Sequence, residues 1–243
     1  MTRLGTSSGQ DLQELSIVLA ATNHQPSMLT PDFLAGSGII PTDWTLAKPF
    51  TTSQRSSQMA FTNGVKITGK LGNITFAEGI AKKALEDLEI PSLARQYAAM
   101  LPNLDYRGVG INPRWFITFD GQPDAAQRFI SQQILADRPW QSFGLSPLQA
   151  GINLVYTLDR CQLHLAINKA VLKLPDRDIP AVMFAGNFSY GIPGDTPQAR
   201  LDAINQAIGH WQDDLAVYGD LIDQQFLAGM EREAVSLFPV ASV

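Results

Sequence analysis

Along most of this chain apolar residues alternate with polar ones at the two-residue period of a strand with one buried face, and a 3.6-residue period takes over in a few stretches and near the end. After a polar leader over 1–13, "ELSIVLAAT" (14–22) gathers aliphatic and β-branched side chains ahead of the turn-rich "NHQPS" and predicts a first strand. Thr30-Pro31-Asp32 reads as a helix start, with Thr30 as cap and Pro31 at the first position, and Gly36 and Gly38 end that helix quickly. Residues 57–80 contain Asn63-Gly64, a strong hairpin signal, and a second turn at Gly72-Asn73, which together predict a three-stranded antiparallel meander. A helix follows over about 80–100, interrupted by Pro91.

The second half runs in the same order. A strand is predicted over 106–120, then a helix over 123–135 with Ala126, Phe129, Ile130 and Ile134 at helical spacing. A hairpin over 151–174 turns near Asp159-Arg160, a further strand covers 179–192, and a long helix from about 197 to 230 closes the chain. Each half therefore reads strand, helix, three strands, helix. The local matches "TPDF" with "QPDA" and "FTNGVKI" with "YTLDRCQL" point to an internal duplication. The Gly-Ile-Asn at 110–112 and again at 151–153 does not mark that repeat, because it falls in the first strand of the second half and then in its second strand. The expected architecture is α+β: two related halves, 14–104 and 105–230, each placing helices against an antiparallel sheet, closed by the long C-terminal helix and followed by an apolar tail over 231–243.

In the last helix Leu201, Ile204, Ile208, Trp211, Leu215, Tyr218 and Ile222 recur in steps of three and four and share one face. The stripe either packs across the chain's own sheets or pairs in part with the same helix of a second subunit. Gly209 and Gly219 each lower helix propensity by about 1 kcal/mol, which packing must offset. Leu237 and Phe238 in the tail either fold back or dock on a partner as a short motif.

Composition narrows the field of functions. Hydrophobic residues make up 45% and charged residues 17% of the 243, a thinly charged surface that favours an oligomer or partner interface. The net charge is −5 and the 18 basic residues are scattered, so neither nucleic acid nor an anionic membrane is an expected partner. The single cysteine, Cys161, excludes an internal disulfide and fits a reducing cytoplasm. No apolar run has the length of a signal-peptide core or a membrane span, so a cytoplasmic protein without membrane insertion is expected.

Candidate chemistry is sparse. His24, His164 and His210 fall in different elements without metal-ligand spacing, and no Gly-x-Ser-x-Gly elbow, P-loop or dinucleotide fingerprint occurs. Cys161 beside Arg160 would have a lowered pKa if exposed, yet no base or oxyanion hole is marked near it. The pairs Glu86/Asp87 and Asp213/Asp214 read as solvated helix faces, since neighbours on a helix diverge by about 100°. The segment 185–197 reads either as an ordinary connection or as the best ligand-facing candidate, since Gly186, Gly191 and Gly194 permit close backbone approach around Asn187 and the helix after it offers free N–H groups. Asp195 is its expected helix cap. A pocket enclosing Arg114, His164 and that segment would favour a ligand site; in "GINPRWFITF" either Asn112, Arg114 and Trp115 line a sheet surface or Pro113 begins a strand at a sheet edge.

The segments "PSMLTPDFLAGSGIIPTDWTLAKP", "FTNGVKI", "YAAMLPNLDYRGVGINP" and "FAGNFSYGI" with the long helix after them resemble the uncharacterised, sporadically distributed conserved-hypothetical proteins found especially in cyanobacteria. That resemblance spans most of the chain, implies an intracellular duplicated α+β fold, and carries no catalytic motif, cofactor or site residue. Two functions remain open. The first is a non-enzymatic homodimer acting as scaffold or adaptor for a protein partner, with no cofactor. The second is a small-molecule-binding protein or enzyme with a pocket between the halves.

Overall fold

The structure is a computed structural model that describes residues 10–80, 83–146, 148–173 and 176–228. Leu237, Phe238 and the rest of the expected tail, with most of the expected leader, lie outside the described residues. In chain order the elements are β1 (Gln10–Ala21), α1 (Pro31–Gly36), β2 (Thr51–Thr52), β3 (Ser56–Ala60), β4 (Val65–Lys70), β5 (Asn73–Gly79) and α2 (Ile90–Met100). The chain continues through β6 (Tyr106–Thr118), α3 (Ala125–Arg128), β7 (Ile152–Thr157), β8 (Gln162–Lys173), β9 (Asp178–Gly191), α4 (Pro197–Gly209) and α5 (Trp211–Leu221). Single π-helical turns extend α3 over Phe129–Ile134 and α5 over Ile222–Phe226.

The strands form one antiparallel sheet in the order β2-β3-β4-β5-β1-β6-β9-β8-β7. Two sheets were expected, one in each half. They are one because β1 and β6 pair along their whole lengths, from Gln10 opposite Ile117 to Ala21 opposite Tyr106. The hairpins turn where expected, at Gly64 and Gly72, both with positive φ (92° and 80°). The register lines up Met59, Ile67, Phe76, Ile17, Ile111, Phe188, Leu163 and Tyr156 in a single row across eight strands. All but Tyr156 are buried, and burial of each such side chain contributes about 1.5–3 kcal/mol.

The helices cover the face of the sheet that carries this row. Tyr97 of α2 packs edge-on against Phe76, while Tyr218 of α5 does so against Trp115 and Phe188. Pro91 does not interrupt a longer helix; it occupies the first turn of α2, where a missing N–H costs nothing, and the preceding helical structure is only a 3-10 turn over Leu85–Asp87. The expected long C-terminal helix is two helices, parted at His210, whose φ of −86° and ψ of 0° take it out of the α region. Ile204, Ile208, Trp211, Leu215, Tyr218 and Ile222 are buried within the single chain and Leu201 is half-buried, so the stripe faces its own sheet. Gly219 lies against Trp115, where a Cβ would come within 3.0 Å of the ring, and that contact accounts for a glycine inside the helix. Pro113 is not at an edge either: it sits in β6 at the centre of the sheet, and the ladder to β9 passes from Ile111–Phe188 to Arg114–Ala185 across it.

Two buried polar groups tie other elements to this core. Glu78 follows Ile74 and Phe76 on the buried face of β5, and its Oε2 accepts the backbone N–H groups of Glu89 (2.9 Å) and Ile90 (3.3 Å), capping α2 from the sheet while Lys83 neutralises it. His24 is buried against Tyr97 and its Nδ1 donates to the Lys70 carbonyl at 2.8 Å. Burial lowers its pKa below the ordinary 6.5, and the bond to Lys70 opposes that only in part. Because His24 is neutral in the fold and basic in the unfolded chain, its contribution is complete above pH 6.5 and is lost as the pH falls below it. Urea midpoints measured from about pH 8 down to pH 5 should therefore decline, and the decline should be shallower in a His24→Leu variant.

Candidate functional site

The face of the sheet opposite the helices carries mostly hydrogen-bonding and small side chains, with Phe116 opposite Met183 as an apolar pair nearer one end. One row beside the apolar one reads Lys66, Ala77, Ser16, Asn112, Asn187, His164 and Val155, by direct pairing except that Asn112 and Asn187 follow from the pairs on either side of them. The row on the other side reads Thr68, Thr75, Val18, Gly110, Ser189 and Gln162. Strand alternation places them here: each but Val155, whose neighbours Leu154 and Tyr156 are half-buried, is one residue from a buried neighbour, and a one-residue step turns a side chain to the other face. Asn187, Ser189, His164 and Gln162 are exposed.

The centre of this face is a polar patch. Gly110 leaves room for two amides, since a Cβ there would lie 3.2 Å from Asn187 Oδ1 and 3.3 Å from Asn112 Oδ1. Asn112 Oδ1 is buried and has no hydrogen-bond partner among the described residues. Beside it, Arg114 Nη1 donates to Glu14 Oε1 at 3.0 Å, and Lys66 approaches the other carboxylate oxygen at 3.6 Å. Arg114, Asn187 and His164 lie on this face, on the neighbouring strands β6, β9 and β8. They are exposed on an open surface.

The glycines of 185–197 separate from them. Gly186 and Gly191 belong to β9, so most of the expected loop is strand. Gly186 faces the helices, where a Cβ would lie 2.7 Å from Tyr218 Cε2 and 3.1 Å from Pro113 Cγ; it seats an aromatic ring. Gly194 remains in the connection with φ of 123°, and the cap of α4 is Thr196, whose hydroxyl accepts from Ala199 N, in place of Asp195.

A second constellation lies on the helix side, at the β7–β8 turn. Asp214 is fully buried, with Tyr190 Oη at 2.7 and 2.9 Å from its two oxygens and Arg160 Nη2 donating to it at 2.9 Å. His210 stacks on the Tyr190 ring with planes 13° apart. Burial raises the Asp214 carboxyl, against the pull of Tyr190 and Arg160, and burial first, then the bond to Asp214, raises Tyr190. Cys161 next to it is half-buried and its thiol is pushed up by burial, the opposite of an activated nucleophile. This cluster ties a hairpin end to the start of α5. Asp214 was expected on a solvated face with Asp213; only Asp213 is there. The missed signal is spacing, because Asp214 stands three residues after Trp211 and four before Tyr218, on the buried stripe. Glu86 and Asp87 are exposed as expected. Among the described residues no group of three His, Cys, Asp or Glu could hold a metal ion, and no helix is long and apolar enough to cross a membrane.

Two substitutions test these assignments. Gly186→Ala should destabilise the fold by about 1–3 kcal/mol by overpacking against Tyr218, measured by chemical denaturation. Tyr190→Phe should lose about 1–2 kcal/mol by withdrawing a donor from buried Asp214; an unchanged midpoint would mean that Arg160 alone satisfies it. No protein-family model matches the sequence, and no curated protein is significantly similar to it, so function rests on the geometry of these surfaces.

Proposed function

We propose that this chain is a non-enzymatic, cytoplasmic homodimer that acts as an adaptor, presenting the open face of its sheet to a protein partner. The observation that carries this reading is the patch around Asn112, Asn187 and His164, where exposed amide, hydroxyl and imidazole groups of Asn187, Ser189 and His164 lie on adjoining strands beside a half-buried Asn112. Small side chains such as Ser16, Ala77 and Gly110 bring the partner close to the backbone, and they lose little rotamer freedom when covered. Mirrored connectivity supports descent of the two halves from one strand–helix–meander–helix unit, for β1 and β6 meet at the centre and each is flanked by its own meander.

A second reading uses the same patch as a shallow site for a small ligand, favoured by the convergence of Arg114, Asn187 and His164 on adjoining strands. The two readings separate on what the surface retains.

Asn187→Lys with Ser189→Lys adds two long charged side chains to exposed positions of the patch. A partner protein that co-purifies with the wild type and with a helix-side control, Gln206→Lys, should be lost from the double variant while its circular dichroism is unchanged. Equal recovery from all three would remove the patch as the docking surface. Loss of a bound small molecule from the variant, seen by native mass spectrometry, would select the ligand reading.

A further inference from the structure

The sheet ends in two unlike edges. At one, β2 is two threonines long and follows Lys48-Pro49, so it offers little ladder to another chain. At the other, the six residues of β7 pair on their inner side with β8, from Ile152 opposite Ile167 to Thr157 opposite Gln162, and among the described residues no strand follows on the outer side. From Leu148 to Leu158 there is no charged residue and no proline, and β7 pairs with β8 without a register shift, so the devices that blunt a free edge are missing.

Side chains around this edge are also incompletely covered. Leu163, Leu165 and Ile167 on β8 are buried, whereas Tyr156, Leu154 and Ile152 opposite them on β7 are only half-buried. Val155, on the other face, is 59% exposed. The connection leading into β7 carries Trp140, Phe143 and Leu145 at 53%, 93% and 108% exposure, three large apolar side chains within six residues.

We propose that β7 pairs antiparallel with β7 of a second copy of this chain about a twofold axis, joining two nine-stranded sheets into one, with Phe143 and Leu145 packed at the contact. This names the contact for the homodimer of the proposed function and rests on that part of it. Backbone groups on a free strand edge are satisfied in regular geometry by another strand. A twofold contact sets each residue against its own surroundings in the partner, so a charged strand would meet its own charge; β7 brings none. A peptide selected by charge would find nothing here to select it. A standard interface buries about 800 Å² per partner, and the exposed Trp140, Phe143 and Leu145 beside the ladder supply large apolar side chains for it. The C-terminal stripe cannot serve in its place, because Ile204, Ile208, Tyr218 and Ile222 are fully covered by the chain's own sheet.

The test measures the mass of the full chain by native mass spectrometry and light scattering over a concentration series. The wild type is expected as a dimer. Asn153→Lys with Val155→Lys, at two exposed positions, should raise the dissociation constant at least about 100-fold through like charges brought face to face, with circular dichroism unchanged. Phe143→Ser with Leu145→Ser should weaken the dimer without abolishing it, and alternate β7 amides should gain protection from hydrogen exchange as concentration rises. A lysine variant that stays dimeric overturns the edge contact and leaves the homodimer standing on another surface. A wild type that is monomeric throughout the series overturns both, and one isolated with a foreign peptide on β7 overturns the second copy as occupant.

Discussion

The row of apolar side chains that crosses the sheet from Met59 to Tyr156 is the constraint on which the other features depend. Eight strands contribute one residue each, and the register that aligns them fixes every other residue to one face or the other. A slip of one position in β1 would carry Leu15, Ile17 and Leu19 out of the core and replace them with Ser16, Val18 and Ala20. The pairing of β1 with β6 is therefore the central joint: it makes one core of two halves and puts helices from both on a common side.

Among the described residues the helices cover only one face, and this has two consequences. The covered face must take up the polar groups that helices bring, and Glu78 and Asp214 do this in different ways: Glu78 caps the start of α2, and Asp214 holds the β7–β8 turn against α5. The uncovered face is left with side chains that tolerate water, and with a concentration of amide and hydroxyl groups around Gly110. The ladder fixes the backbone positions from which these surface groups project. Tyr190 and Asp214, whose ionisation burial shifts upward, are on the other side and are bonded to each other.

Glycines show how readily a local pattern suggests the wrong cause. Gly186 and Gly191 look like a ligand loop when read as a cluster, yet Gly186 is absent a side chain because Tyr218 and Pro113 occupy that space. Gly219 answers to Trp115 in the same way. In each case the residue that explains the glycine lies on another element, out of reach of any local window.

Local physics, read from the sequence alone, determined a good deal here: the strand alternation, the Asn63-Gly64 and Gly72-Asn73 turns, the Thr30-Pro31 helix start, the mixed helix and antiparallel strand content, and the apolar face of the last helical segment. Each depends on residues within a few positions of one another, so periodicity and turn chemistry suffice. Tertiary structure alone decided that β1 and β6 join into one sheet, that Pro113 lies at its centre, that His210 parts two helices, and that Asp214 is buried while Asp213 is not. It also decided that Arg114, Asn187 and His164 share an open face. These follow from contacts between residues far apart in the chain, where the free energy of burying a common row outweighs local preference, and no local pattern records which distant strand will supply the other side.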